Sequence, residues 1–271
     1  AGRHAHGSGA PARARSFGPG RASVVPRATA LVPVLVALVG VALLATGPVA
    51  LGAVLLVVGA GFAAASRRAG SPERLVLRLG GRVASGDRDA RLVNLVEGLA
   101  VALGVPVPEL RVVEDPAPNA VVLGPDPASA VLVCTSGLLE ALDRLELEGV
   151  LAHELAHVKR GDLERAAVAM RAFGLVARTA RGADVLARAI RSDRESFADL
   201  QAAGVTRYPP ALASALEKIA AAPTARPRAV ELTVARLTGS QWCAPLDGDL
   251  GRRPRAGALT VEERAAALRE L

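Results

Sequence analysis

His153-Glu154-Leu155-Ala156-His157 lies within the run from Asp143 to Gly161, and the reading of this run decides the reading of the chain. Asp143 with Glu146 three residues on has the form of a capping box, and a helix-forming stretch, Leu145 to Lys159, follows. Leu147, Val150, Leu151, Leu155 and Val158 recur at helical spacing, and Gly161 is a natural stop. On that helix the two imidazoles stand one turn apart on one face, beside the apolar stripe, with Glu154 next to them. Histidines at this spacing are usually plain surface residues when no metal is involved. Here the flanking apolar surface suits a site half sunk in a core. Two imidazoles so placed can hold one Zn²⁺, and the adjacent carboxylate can take a proton from a water.

A tridentate site needs one more protein ligand, leaving a fourth position for water. The chain has four histidines, and the remaining two, His4 and His6, precede the motif by far. The third ligand is therefore Asp, Glu or Cys. The segment Arg194-Glu195-Ser196-Phe197-Ala198-Asp199 is the best candidate, because Glu195 and Asp199 lie one turn apart in a helical stretch. Glu195 can bind the metal while Asp199 accepts the far N–H of a ligand histidine. The plainer reading is a solvated acidic face.

Longer stretches carry a resemblance. Val131-Leu132-Val133-Cys134-Thr135-Ser136-Gly137-Leu138-Leu139-Glu140-Ala141-Leu142, running on through the two histidines to Gly161-Asp162, resembles the HtpX-like and CAAX-prenyl-protease family of membrane zinc metallopeptidases. Asn119-Ala120-Val121-Val122-Leu123-Gly124 is similar to that family's segment ahead of the active-site strand, and Tyr208 to Lys218 to its later helix. The likeness covers roughly residues 90 to 270. It implies that Glu195 of an E-x-x-x-D motif is the third zinc ligand, with Asp199 behind it. The family usually carries a His-Pro pair before a final Glu-Glu-Arg helix, whereas this chain has Ala258 ahead of Glu262-Glu263-Arg264. Tyr208, Arg252, Arg253 and Arg255 are the donors available to stabilise an oxyanion in its place, set against a plain structural or solvated role.

From Ala30 to Ala65 no residue is charged. A single helix of that length would run about 54 Å, too long for a hydrocarbon core of about 30 Å. Gly47-Pro48 divides it into two spans, about Ala30–Thr46 and Val49–Ala65, which reads as a membrane hairpin. A secretory signal and a buried soluble hairpin are the competing readings. The chain carries 33 Lys and Arg against 26 Asp and Glu, for a formal charge of +7. Arg3, Arg13, Arg15, Arg21, Arg27, Arg67 and Arg68 precede the first acidic residue and account for the whole excess. The remainder is balanced, which argues against a nucleic-acid partner. Both basic flanks are expected on the cytoplasmic side of the plasma membrane. Cys134 and Cys243 then sit in a reducing compartment as thiols.

The expected architecture is mainly α with a small β-sheet: a disordered basic tail (1–29), a transmembrane hairpin (30–66) and a zincin-like α+β domain (67–271). Helix is expected over Asp89–Leu103, Ser136–Leu142, a long stretch after Asp162, Pro210–Ala221 and from Thr260. Extended segments are expected near Leu110–Val113, Ala120–Leu123 and Ala130–Cys134. The strand Ala130-Val131-Leu132-Val133-Cys134 is expected at the sheet edge, where it can pair with an extended peptide. The region with Arg165, Arg171, Arg178, Arg181 and Arg188 cannot span a bilayer and is expected to be a soluble amphipathic helix. The expected function is hydrolysis of peptides and of unfolded or membrane proteins, with one zinc per chain and Glu154 as base. The alternative is an inactive zinc-binding adaptor that holds peptides without cutting them.

Overall fold

The computed structural model describes residues 35, 38–42, 49–190, 194–223, 226–246 and 259–271. The expected tail and most of the first span (Ala30–Thr46) lie outside the described residues.

The second apolar run forms one helix, α1 (Val49–Ala69), long and apolar enough to cross a membrane and largely exposed along its length. It extends past the expected end at Ala65 because its last turn is docked rather than free. Ser66 Oγ donates to the carbonyl of Ala172 at 2.9 Å. Residues 38–42 are helical where described, and Gly40 lies against Gly52 and Leu56 of α1. A short amphipathic helix, α2 (Pro72–Leu79), follows behind Ser71 as its cap.

The sheet has four strands, β1 (Arg82–Val83), β2 (Glu109–Val113), β3 (Ala120–Leu123) and β4 (Val131–Thr135), in the order β1-β2-β4-β3. β2 and β4 are parallel, whereas β1 and β3 run antiparallel to their neighbours. The expectation that residues 130–134 form an edge strand is not met. β4 is interior, with Leu132 opposite Leu110 on one side and Val122 on the other, so both of its backbone edges are taken. The physical reason is that β4 is paired on both sides, antiparallel with β3 just before it and parallel with β2, whose partners lie 22 residues earlier. β3 is the edge strand on that side, and β1 on the other.

Both faces of the sheet are covered, so its strands read as apolar runs rather than alternating ones. Leu110, Val112, Ala120, Val122, Leu132 and Cys134 face one core, shared with α3 (Ala90–Leu103), α4 (Ser136–Ala141) and α5 (Arg144–Arg160). Val113, Val121, Leu123 and Val133 face a second core holding Leu75, Met170 and Trp242.

The stretch after Asp162 is not one long helix. It divides into α6 (Asp162–Phe173) and α7 (Ala180–Ile190), joined by a 3₁₀ turn at Val176–Arg178. A side chain at Gly174 would collide with the Ser66 carbonyl and with Gly70, so the break is set by close packing against α1. Thr179 then caps the new helix, accepting from the Gly182 N–H at 3.1 Å. α8 (Arg194–Thr206), α9 (Pro209–Ala221), α10 (Leu232–Thr238) and α11 (Val261–Arg269) complete the domain, and α8 and α9 pack on α5.

Candidate metal centre

α5 begins as its sequence demands. The Glu146 N–H donates to Asp143 Oδ1 and the Asp143 N–H to Glu146 Oε2, both at 2.9 Å, completing the capping box. It ends at Gly161, whose φ of +73° lies in the left-handed region that glycine adopts without strain. Between these ends His153, Glu154 and His157 are all buried.

Three side chains converge. His153 Nε2 and His157 Nε2 are 3.3 Å apart. Glu195, in the first turn of α8, places Oε2 3.6 Å from the first and Oε1 3.9 Å from the second. Ligands about 2.0–2.1 Å from a tetrahedral ion stand about 3.3 Å from one another. The three donor atoms thus have nearly the separation that one small cation requires.

The far nitrogens fix the tautomers. His153 Nδ1–H donates to Asp199 Oδ1 and His157 Nδ1–H to Asp162 Oδ2, each at 2.9 Å. In the neutral rings both Nε2 lone pairs then face each other, with a carboxylate beside them. Such a group of acceptors repels itself unless a proton or a metal ion lies among them. Glu195 Oε2 is buried without a hydrogen-bond partner, as a waiting ligand atom would be. The residues therefore fit a divalent cation, and two imidazoles with one carboxylate suit zinc.

The protonation of the metal-free cluster follows from the same contacts. Burial alone would depress His153, but its hydrogen bond to Asp199 and the Glu195 carboxylate beside it carry it up to about 9. His157 is driven down to about 4 by burial, with the Arg194 charge adding to it. Burial works against ionised Glu195, yet the His153 imidazole beside it and the Arg194 charge hold it well below the usual carboxylate range.

Charge compensation comes from elements far apart in sequence. Arg264 of α11, fully buried, donates Nε to Asp199 Oδ2 at 2.8 Å and Nη2 to Oδ1 at 2.7 Å. Its Nη1 donates to the Cys243 carbonyl at 2.8 Å and lies 3.4 Å from Glu195 Oε2. Burial would raise Asp199, but the Arg264 charge and hydrogen bonds hold it down at about 2. Arg194 Nε donates to Glu195 Oε1 at 3.0 Å.

Glu154 is held differently. Its Oε2 accepts the Val122 N–H of β3 at 2.9 Å, while Oε1 is buried without a partner. Burial pushes its pKa up to about 7, the range in which a carboxylate can both take and return a proton near neutrality. Cys243 Sγ lies within 4.8 Å of donor atoms of His153 and Glu154. Burial, followed by the Glu154 charge, raises that thiol well above its usual range, so it stays protonated.

Of the residues singled out from sequence, His153, His157, Glu195 and Asp199 come together, with Glu154 beside them. Tyr208 is 51 % exposed ahead of α9 and makes none of the described contacts with the cluster. Arg252, Arg253, Arg255 and Ala258 lie outside the described residues. Asp162, Arg264, Arg194, Asn119 and Cys243 are the residues sequence reasoning did not place here. Asn119 fixes the covering segment, since its Nδ2 donates to the Ala244 carbonyl at 2.8 Å and its Oδ1 accepts the Ala244 N–H at 3.1 Å. Two signals were available: Asp162 directly follows the helix stop, and Arg264 ends the Glu-Glu-Arg run.

Comparison with known proteins agrees with this arrangement. The family model described as "Peptidase family M48" matches residues 87–233. A "Protease HtpX homolog" of Dictyoglomus thermophilum is 42% identical over 161 residues, which are 47% of this chain and 53% of that protein. Homologues of the same description are 38% identical over 180 residues in Tropheryma whipplei (53% of this chain, 61% of that protein). In Thermococcus sibiricus the figure is 35% over 181 residues (54% and 62%). The chain thus spans about half to three fifths of the length of these curated relatives. No solved structure matches. The matched region takes in the metal-binding helix, the carboxylate that faces it and the strand beside them, and the chain belongs to Peptidase family M48.

Proposed function

We propose that this chain is a membrane-anchored zinc metalloendopeptidase whose catalytic domain faces the cytosol. The observation that carries the reading is the buried trio His153, His157 and Glu195 with Glu154 unpartnered at Oε1 beside it. When bound, Zn²⁺ supplies Lewis acidity, lowering the pKa of a water and polarising the scissile carbonyl. Asp162 and Asp199 hold both imidazoles with Nε2 free to ligate. Glu154, anchored at Oε2 by Val122, takes the proton of the attacking water at its open oxygen and delivers it to the leaving amine. A site meant only to hold zinc for structure would have no use for that free carboxylate oxygen, which disfavours the adaptor reading.

β4, being interior, offers no free backbone edge to a peptide, and the outer edge of β3 is already taken within the chain. The N–H of Val122 and the carbonyl of Ala120 face away from β4, toward Glu154 and Cys243 respectively. Membrane anchorage is supported by the exposed apolar surface of α1 and by the packing of Gly40 on Gly52 and Leu56, as in a helical hairpin. Arg67 and Arg68 at its end support a cytoplasmic position for that end.

The test is cleavage of an unfolded protein such as casein by the full chain in detergent. Cleavage should stop with a chelator and return on addition of zinc. Fully zinc-loaded protein that binds casein without cutting it would establish the adaptor instead.

A further inference from the structure

α1 and α6 meet in opposite senses. Ser66 touches Ala172, Gly174 and Leu175, whereas Gly70 touches Met170, Arg171 and Gly174. As α1 leaves its apolar stretch, α6 therefore runs back toward it. The chain beyond α6, from Leu175 to Arg181, emerges level with Ser66 or on its apolar side, at the boundary where uncharged sequence ends. That corner is built for a boundary. Val176 is 41 % exposed, and Arg178 and Arg181 are exposed beside it, as are Arg67 and Arg68 on α1. From Arg165 to Ala183 the sequence contains four arginines and no acidic residue.

We infer that the Leu175–Arg181 corner is an interfacial foot that docks on an anionic lipid surface. The inference rests on the reading of α1 as a membrane anchor. Val176 enters the boundary between headgroups and acyl chains, while Arg178 and Arg181, with Arg67 and Arg68, bind lipid phosphates. The close contacts of Gly70 and Gly174 make this corner rigid with α1, so the foot sets the height of the domain. At the other end of α6, Asp162 holds His157. Twelve helical residues measure about 18 Å. The metal site thus stands up to roughly 18 Å above the lipid, a distance that about six extended residues cover.

The test uses the full chain reconstituted in phosphatidylcholine vesicles with or without phosphatidylglycerol. Cys134 and Cys243 are both 0 % exposed, so a cysteine introduced at the surface takes an environment-sensitive fluorophore selectively. The label is placed in turn at Val176→Cys, at Phe62→Cys on the apolar face of α1, and at Val101→Cys, 82 % exposed on α3. Brominated lipids should quench the Phe62 label in both vesicles and the Val101 label in neither. The Val176 label should be blue-shifted and quenched with phosphatidylglycerol, and should lose both effects when Arg178→Glu and Arg181→Glu are added. A Val176 label that stays in water while the Phe62 label is quenched overturns the foot. Quenching at Val176 that is indifferent to lipid charge and to both substitutions overturns the phosphate recognition. An unquenched Phe62 label overturns the anchoring itself.

Discussion

His157 and Asp162 are joined by an Nδ1–H···Oδ2 hydrogen bond of 2.9 Å across the Gly161 turn that ends the metal-binding helix. The bond fixes which nitrogen of His157 is left to ligate, and it raises the basicity of that nitrogen. Asp162→Ala should lower metal affinity about 10–100-fold with the fold intact. Competition with a chromophoric chelator, alongside circular dichroism, reads both quantities. Unchanged affinity would show that the turn holds the ring without this carboxylate.

Arg264 neutralises two buried carboxylates at once. Its replacement by Met leaves Asp199 and Glu195 without that charge, and breaking a buried pair from one side costs about 3–5 kcal/mol. Urea denaturation of the metal-free protein should show a loss of that order. The pH dependence has a definite sign. Asp199 is held at about 2 against an ordinary 3.8, so its pairing contributes stability above about pH 4 and loses it as pH falls toward 2. The Arg264→Met protein should show less of this acid-dependent loss, because little of the pairing is left to lose.

Asn119 pins the segment that covers the outer edge of β3 through paired hydrogen bonds to Ala244. Asn119→Ala should destabilise the fold by about 1–3 kcal/mol. The same change should expose Cys243 to thiol reagents while Cys134, inside the sheet, stays protected. Alkylation followed by mass spectrometry distinguishes the two sites. Equal protection of both cysteines would mean that Arg264 and the sheet hold the segment unaided.

The metal helix was legible in the sequence because every signal for it is local: a capping box three residues wide, an apolar stripe of one period, a glycine stop. The pairing of Glu195 with Asp199 was legible in part, since helical spacing puts both on one face without saying what they face. The strand order was not. Val131–Thr135 carries the same apolar run whether it lies at an edge or inside, and only its pairing with both β2 and β3 decides. Arg264 was out of reach for a related reason, because its partners lie 65 residues away on α8 and 21 residues away at Cys243. The break between α6 and α7 was hidden as well. Gly174 reads as a tolerated helix glycine until Ser66 and Gly70 are packed against it.

The proposed function assigns the proton transfer to Glu154, and its replacement by Gln tests that assignment most directly, since the amide keeps the shape of the carboxylate but cannot accept the water's proton. The decisive measurement is metal content and casein cleavage on the same Glu154→Gln preparation. The account predicts one zinc per chain, as in the wild type, with hydrolysis lowered at least about 10²-fold. Hydrolysis at the wild-type rate by the zinc-loaded variant would contradict it.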